Sequence, residues 1–253
     1  MPGAALSLEC RALARSFGTR RPLDGVDLAA RPGTVTALLG SNGAGKTTLM
    51  KILATLLTPS AGTATVVGCD VVRDPAGVRR ALGYVSSEER SFHWRLTARQ
   101  NLEFFGALQG LSRREADRRA DPLLSQLDLL DRAGTRFGEL STGMKQALGI
   151  VRGLLHAPQV LLLDEPTRSL SPDLGRKVAE LLRRQAEQDG RTILFATHNL
   201  FEAEQVAHAV AVLHQGRIRA CGAPAELARD LGLPGPPRLD AIFHALTGAE
   251  ARP

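Results

Sequence analysis

The segment GSNGAGKTT (40–48) constrains this chain more than any other. It has the form G-x-x-x-x-G-K-[ST]. It joins an apolar run, TVTALLG (34–40), to KTTLMKILATLL (46–57), where apolar residues recur every three or four positions. A buried strand feeding a helix through a glycine-rich loop is the context in which this motif cradles phosphate. Phosphate oxygens must approach the main chain closely, and Gly40, Gly43 and Gly45 have no Cβ to obstruct them and tolerate positive φ. The successive N–H groups of Ser41, Asn42, Gly43, Ala44, Gly45, Lys46, Thr47 and Thr48 can then form an anion nest at a helix N-terminus, where the helix dipole adds to the attraction. Lys46 can reach β- and γ-phosphate oxygens, and the Thr47 hydroxyl is placed to ligate Mg²⁺. The pattern predicts a nucleoside triphosphate site.

Further strands are predicted at TATVVG (63–68), RALGYVS (80–86), QVLLLDEP (159–166) and RTILFATH (191–198), and in a hairpin AVAVLHQGRIRACG (209–222) turning at Gln215 and Gly216. An unbroken run such as VLLLD suits a strand buried on both faces, and helices between strands imply a parallel sheet. From about 87 to 150 strand signals vanish. TARQNLEFFGALQGL and SRREADRRADPLLSQLDLL read as helices, the second opening with a capping box of Ser112 and Glu115. Pro122 is expected to start a new turn or to kink that segment. The expected organisation is one α/β domain over 1–231 with a helical insertion at about 87–150. A Pro/Gly linker and a short helix follow in 232–253.

The chain's 253 residues suffice for a real core, and its 43% hydrophobic and 23% charged content is ordinary for a soluble globular protein. A net charge of +6 favours anionic company, but the basic residues are mostly arginines spread along the whole chain, so no nucleic-acid stripe is defined. No apolar run reaches the roughly 18 residues of a membrane span, and the N-terminus lacks a signal-peptide core. Cys10, Cys69 and Cys221 are odd in number and in no metal-ligand spacing, which predicts a reducing cytosolic setting.

VLLLDEP ends a strong strand in two carboxylates, where ligands of open α/β sheets bind. Asp164 can hold Mg²⁺ through water, and Glu165 can then polarise an attacking water beside the γ-phosphate. His198 closes the next strand at the same edge, which favours a functional over a structural histidine.

These motifs together with LSTGMKQALGIVRGLLHAPQVLLLDEPT (140–167) resemble ATP-binding-cassette ATPases, whose usual signature is LSGGQ. The resemblance spans roughly residues 6 to 222. It implies a P-loop core with a mostly parallel sheet, an N-terminal antiparallel β region and an inserted helical subdomain. It also implies Mg²⁺-dependent ATP hydrolysis with Lys46, Glu165 and His198 as catalytic residues, and adenine stacking on Phe17. Two cassettes, expected to be identical chains, would dimerise so that Ser141 and Gly143 of one meet the γ-phosphate held by the other. The LSTGM form resembles exporters, so the expected partner is a separate membrane permease and the expected location the cytoplasmic face of the membrane. Nucleic acid is not an expected partner.

Two departures qualify the resemblance. Ser171 stands where an aspartate after leucine is usual, with Asp173 nearby, and Ser87 stands where the family has a glutamine that touches Mg²⁺. Serine is shorter and would reach the metal only through water, unless Glu88 or Glu89 reaches in. The following RSFHWRLT either packs Phe92 and Trp94 on the insertion or presents them to the permease; both can hold. The competing readings are an ATP-switched regulatory cassette with weak hydrolysis and a non-transport cassette acting on nucleic acid.

Overall fold

The computed structural model describes residues 6–86 and 91–248. Its centre is a six-stranded sheet built from β3 (Val35–Leu39), β6 (Leu82–Val85), β7 (Val160–Asp164), β8 (Thr192–Thr197), β9 (Ala209–His214) and β10 (Arg217–Gly222). The strand order is β10-β9-β3-β8-β7-β6, parallel throughout except for the β9–β10 hairpin. A second, antiparallel sheet comprises β1 (Leu8–Phe17), β2 (Arg20–Ala30), β4 (Ala61–Val66) and β5 (Cys69–Asp70), in the order β2-β1-β4-β5.

The unbroken apolar strands divide their residues between two cores. In β7, Leu161 and Leu163 belong to one hydrophobic cluster, Val160 and Leu162 to the other, and all four are fully buried. Ile193 and Phe195 against Leu194 and Ala196 repeat this division in β8. The period of two thus feeds a helical layer on one face. On the other it feeds α1 (Lys46–Leu53) and the antiparallel sheet.

The helix after the phosphate loop is shorter than its apolar period predicts. It ends at Leu53 because Thr55 takes a left-handed φ of 60°. The N–H groups of Leu56 and Thr55 then bond back to Lys51 and Ile52, a Schellman closure with threonine where glycine is usual. The strand expected from residue 80 begins at Leu82, because Arg80 and Ala81 finish α2 (Pro75–Ala81). That helix is announced by Asp74, whose carboxylate accepts from the Gly77 N–H at 2.8 Å, and by Pro75 in its first turn.

The insertion carries α3 (Ala98–Leu108) and α4 (Arg113–Gln126), then α5 (Thr142–Leu154). The Ser112/Glu115 capping box is present. Pro122 does not begin a new element, for α4 runs through it to Gln126. The carbonyl it leaves without a helical partner belongs to Arg118, an exposed residue to which water has access. Further along the chain come α6 (Pro172–Glu187) and α7 (Leu200–Val206), whose buried residues join the same core cluster as those of α3, α4 and α5, and then α8 (Pro224–Asp230) and α9 (Leu239–Thr247). Leu239 and Ile242 of α9 are buried in the main core. Among the described residues no helix is long and apolar enough to cross a membrane.

Helix α5 sits on β6 through a pair of glycines. A Cβ on Gly83 would lie 2.2 Å from the Gly153 carbonyl oxygen, and one on Gly153 would lie 2.7 Å from Val85 Cγ2. Both backbones would have to separate to admit a methyl group. Gly83→Ala is therefore expected to lower unfolding free energy by about 1–3 kcal/mol, seen as a reduced denaturation midpoint.

Candidate active site

Three neighbouring strands end at one level. β8 lies between β3 and β7, with Leu39 paired to Thr197 and Ala196 to Asp164. The loop after β3, the acids after β7 and the histidine after β8 are thereby brought to the same edge of the sheet.

Each loop glycine answers a different need. Gly43 and Gly45 have φ of 82° and 113°. A Cβ on Gly45 would fall 2.3 Å from the Pro22 carbonyl oxygen, and one on Gly40 would fall 2.6 Å from that of Leu213. Gly40 needs space and Gly45 needs both space and left-handed backbone. Gly45 caps α1, so the first N–H groups of that helix face the loop. Lys46 is buried, and its ammonium donates to the carbonyl oxygens of Gly40 at 2.6 Å and Ser41 at 3.3 Å. It also lies 3.6 Å from Glu165 Oε1. Burial lowers its pKa, opposed by Glu165 and Asp164.

Asp164 is 1% exposed and sits beneath the loop. Its Oδ2 accepts from the Thr47 hydroxyl at 2.9 Å, whereas its buried Oδ1 has no partner among the described residues. Burial raises its pKa above the usual carboxylate range, despite the Thr47 hydrogen bond and Lys46. A buried carboxylate with one orphan oxygen beside a threonine hydroxyl fits a hard cation held directly or through water.

Glu165 bonds to His198, whose Nδ1 lies 2.9 and 3.0 Å from the two carboxylate oxygens. An ionised carboxylate accepts only, so Nδ1 carries the proton. The loop after β7 and the end of β8 share one anchor, Glu202. It accepts from the Thr167 hydroxyl and, at 3.3 Å, from that of Thr197. Asn199 caps α7 by accepting from Phe201 and Glu202.

The resulting cleft, about 360 Å³, is lined by Ser41, Asn42, Gly43, Gly45, Lys46, Thr47, Thr48, Glu165 and His198. Gly40 and Ala44 shape the loop from behind. Arg20, Pro22 and Arg168 also line the cleft and escaped the sequence reading. Arg20 and Arg168 have no ion pair among the described residues, so two guanidinium groups flank the phosphate loop. Arg168 lies three residues beyond Glu165, a spacing that could have flagged it; no local pattern marks Arg20, which reaches the loop from β2.

Other expected residues stand apart from this cleft. Phe17 is 46% exposed at the tip of the β1–β2 hairpin, paired with Arg20, and the Arg15 guanidinium lies 4.4 Å from its ring centre. Ser141 caps α5 and accepts from the Met144 N–H, while a Cβ on Gly143 would lie 3.0 Å from the Ser169 carbonyl oxygen. The signature therefore starts a helix packed on the loop after β7, outside its own chain's cleft. Ser171 caps α6, and Asp173 pairs with Arg176 in the same helix. Ser87, Glu88 and Glu89 lie outside the described residues. Phe92 and Trp94 part company: Phe92 is buried and stacked on Phe137, whereas Trp94 is 63% exposed beneath the Lys145 ammonium.

The raised pKa of Asp164 has a thermodynamic consequence. Between its ordinary value near ~4 and its raised folded value the native state holds the extra proton, so stability falls as pH rises through that window. Above the window the cost is constant. Asp164→Asn is expected to melt at higher temperature than the parent at pH 7 without nucleotide or divalent cation, with the gap shrinking near pH 4. Thermal melts should also show that the variant loses stabilisation by Mg²⁺.

Comparison with known proteins gives this geometry a context. The family model described as ABC transporter matches residues 23–168. The chain is 42% identical over 232 residues to the daunorubicin resistance ATP-binding protein DrrA2 of Streptomyces coeruleorubidus, covering 92% of this chain and 71% of that protein. It is 37% identical over 198 residues to the ABC transporter ATP-binding protein NatA of Bacillus subtilis, covering 78% and 80% respectively. Among solved structures, an ATP-binding subunit of an ABC transporter superposes with a TM-score of 0.87 at 31% identity, covering 96% of this chain and 99% of that one. The dimeric structure of a bacterial ABC transporter cassette gives 0.77 at 25% identity, over 85% and 98%.

Proposed function

Because the chain belongs to the ATP-binding-cassette family of transporter ATPases, we propose that it is the ATP-hydrolysing subunit of an exporter, working as a dimer beneath a permease on a separate chain. The observation that carries the catalytic part is the convergence of Lys46, Glu165 and His198 above the buried Thr47–Asp164 pair. Export is supported by the printed functions of relatives: daunorubicin resistance, and Nod factor export for a protein of Paraburkholderia xenovorans 36% identical over 92% of this chain and 75% of its own.

In this reading the loop N–H groups and Lys46 hold the phosphates, and Phe17 stacks on the base. Thr47 and Asp164 hold Mg²⁺, which neutralises phosphate charge when bound. Glu165 orients and deprotonates the attacking water, and His198 fixes the carboxylate that does so. Ser141 and Gly143 serve the cleft of the partner cassette from the start of α5, as the usual anion site of a helix N-terminus. Glu165→Gln should cut turnover by about 10²–10⁴-fold while ATP binding persists. Phosphate release and nucleotide binding on the purified chain check this, and wild-type turnover would remove Glu165 as base.

The permease face is assigned to the insertion. Trp94, Phe104 and Leu108 are exposed there, and Phe104 meets the His93 ring edge-on at 4.8 Å. Exposed aromatics on a firm base have the composition of an interface hot spot. Trp94→Ala is expected to weaken co-purification with the permease proposed here by at least about tenfold, with ATPase activity of the isolated subunit unchanged. Retained association would move the interface elsewhere.

A further inference from the structure

Glu165 is held in a conformation it would not choose. Its φ is 52°, a left-handed value that is uncommon for a residue with a Cβ. It also precedes Pro166, whose ring narrows the backbone choices of the residue before it. Such a conformation persists when the surroundings over-determine it.

The restraints come from separate parts of the molecule. From β8, the Ala196 carbonyl accepts the Glu165 N–H at 2.9 Å. The carboxylate is held by His198 at 2.9 Å and faces Lys46 of the phosphate loop at 3.6 Å. The Glu165 carbonyl receives the side-chain amide of Gln146, Nε2 to oxygen at 3.2 Å. Gln146 stands in the second turn of α5, five residues after the Ser141 cap. The only other donor recorded for this carbonyl among the described residues is the Arg168 N–H, at a long 3.5 Å. Pro166 has no N–H through which to fix the peptide plane.

We propose that Gln146 is the positioning residue for Glu165. By fixing the peptide that follows the carboxylate residue, it makes the aim of that carboxylate depend on where α5 sits. Helix α5 opens with Ser141, so the element reaching toward one nucleotide is tied to the base facing the other. Such a tie within one chain is of particular interest where Ser171 replaces the usual aspartate and is occupied with capping α6. Gln146 touches neither substrate nor metal in this assignment. It acts through the Glu165 backbone, and the proposal rests on the reading of Glu165 as the base.

The test uses the full-length chain with Mg²⁺-ATP and two variants. Gln146→Met keeps the length of the side chain and removes the donor. Gln146→Glu keeps its shape and turns an acceptor toward the carbonyl. A misdirected base costs turnover and spares binding, so kcat should fall about ten- to hundredfold for Gln146→Met, with KM and the affinity for a fluorescent ATP analogue within about twofold of wild type. Gln146→Glu should lose more. Unchanged kcat in Gln146→Met would overturn the proposal. So would a loss in which affinity, melting temperature and kcat decline together, the mark of a packing residue, or a Gln146→Glu variant no worse than Gln146→Met. Glu165→Gln run alongside separates the two readings. If it turns over like wild type, the base is misassigned; if it is inactive while Gln146→Met is normal, only the positioning role fails.

Discussion

Everything at the cleft depends on three parallel strands ending side by side. β3, β8 and β7 are adjacent and in register, so a phosphate loop, a histidine and two acids from distant parts of the chain share one edge. The register is secured by burial on both faces, since a one-residue slip would exchange the side chains facing the helical layer with those facing α1. The sheet thus brings charged groups together at no cost to their own local conformation, with one exception. Glu165 lies just past the end of β7 and takes a left-handed turn, and that turn directs its carboxylate to His198 and Lys46.

Burial divides the labour between the two acids. Asp164 is sealed beneath the loop with one oxygen satisfied by Thr47 and one without a partner among the described residues, an arrangement costly for a carboxylate alone and suited to a cation. Glu165 is more open and keeps both oxygens in contact with a histidine that is half exposed. Adjacent residues of one type therefore face different dielectric surroundings, which is how a short motif supports two chemistries.

The parts legible in the sequence were those whose cause is local. Glycines 40, 43 and 45, Lys46 and Thr47 follow one another in a single loop. VLLLD reveals a doubly buried strand by its lack of alternation, and the Ser112/Glu115 box is visible as a four-residue pattern. The hidden parts have distant causes. Arg20 borders the cleft because β2 passes over the loop at Pro22, where a Gly45 side chain would collide, and nothing near residue 20 signals this. Thr55 stops α1 in a backbone region that glycine usually occupies, so apolar periodicity extended the helix too far. Pro122 does not divide its segment into two helices, and the residue whose carbonyl it leaves without a helical partner, Arg118, is exposed, which lowers the cost of a proline inside a helix. Helix α2 lacks a long apolar period and is marked only by its Asp74 cap and Pro75, so the apolar run that follows reads as a strand without it. Phe17, Ser141 and Gly143 are legible only as motif positions, because the roles proposed for them involve a nucleotide and a second cassette rather than contacts within one chain.

The last helix has a mechanical consequence. The Leu239 N–H at the start of α9 donates to Glu204 of α7 at 2.9 Å, and Leu239 and Ile242 are sunk into the main core. Two residues earlier in α7, Glu202 holds Thr167 in the loop after β7 and Thr197 at the end of β8, and His198 follows Thr197 directly. Helix α9 and the strand end that leads to His198 therefore rest on the same short bracket. A load applied by α9 at Glu204 reaches Glu202 within one turn of the same helix, with no loop between to absorb it.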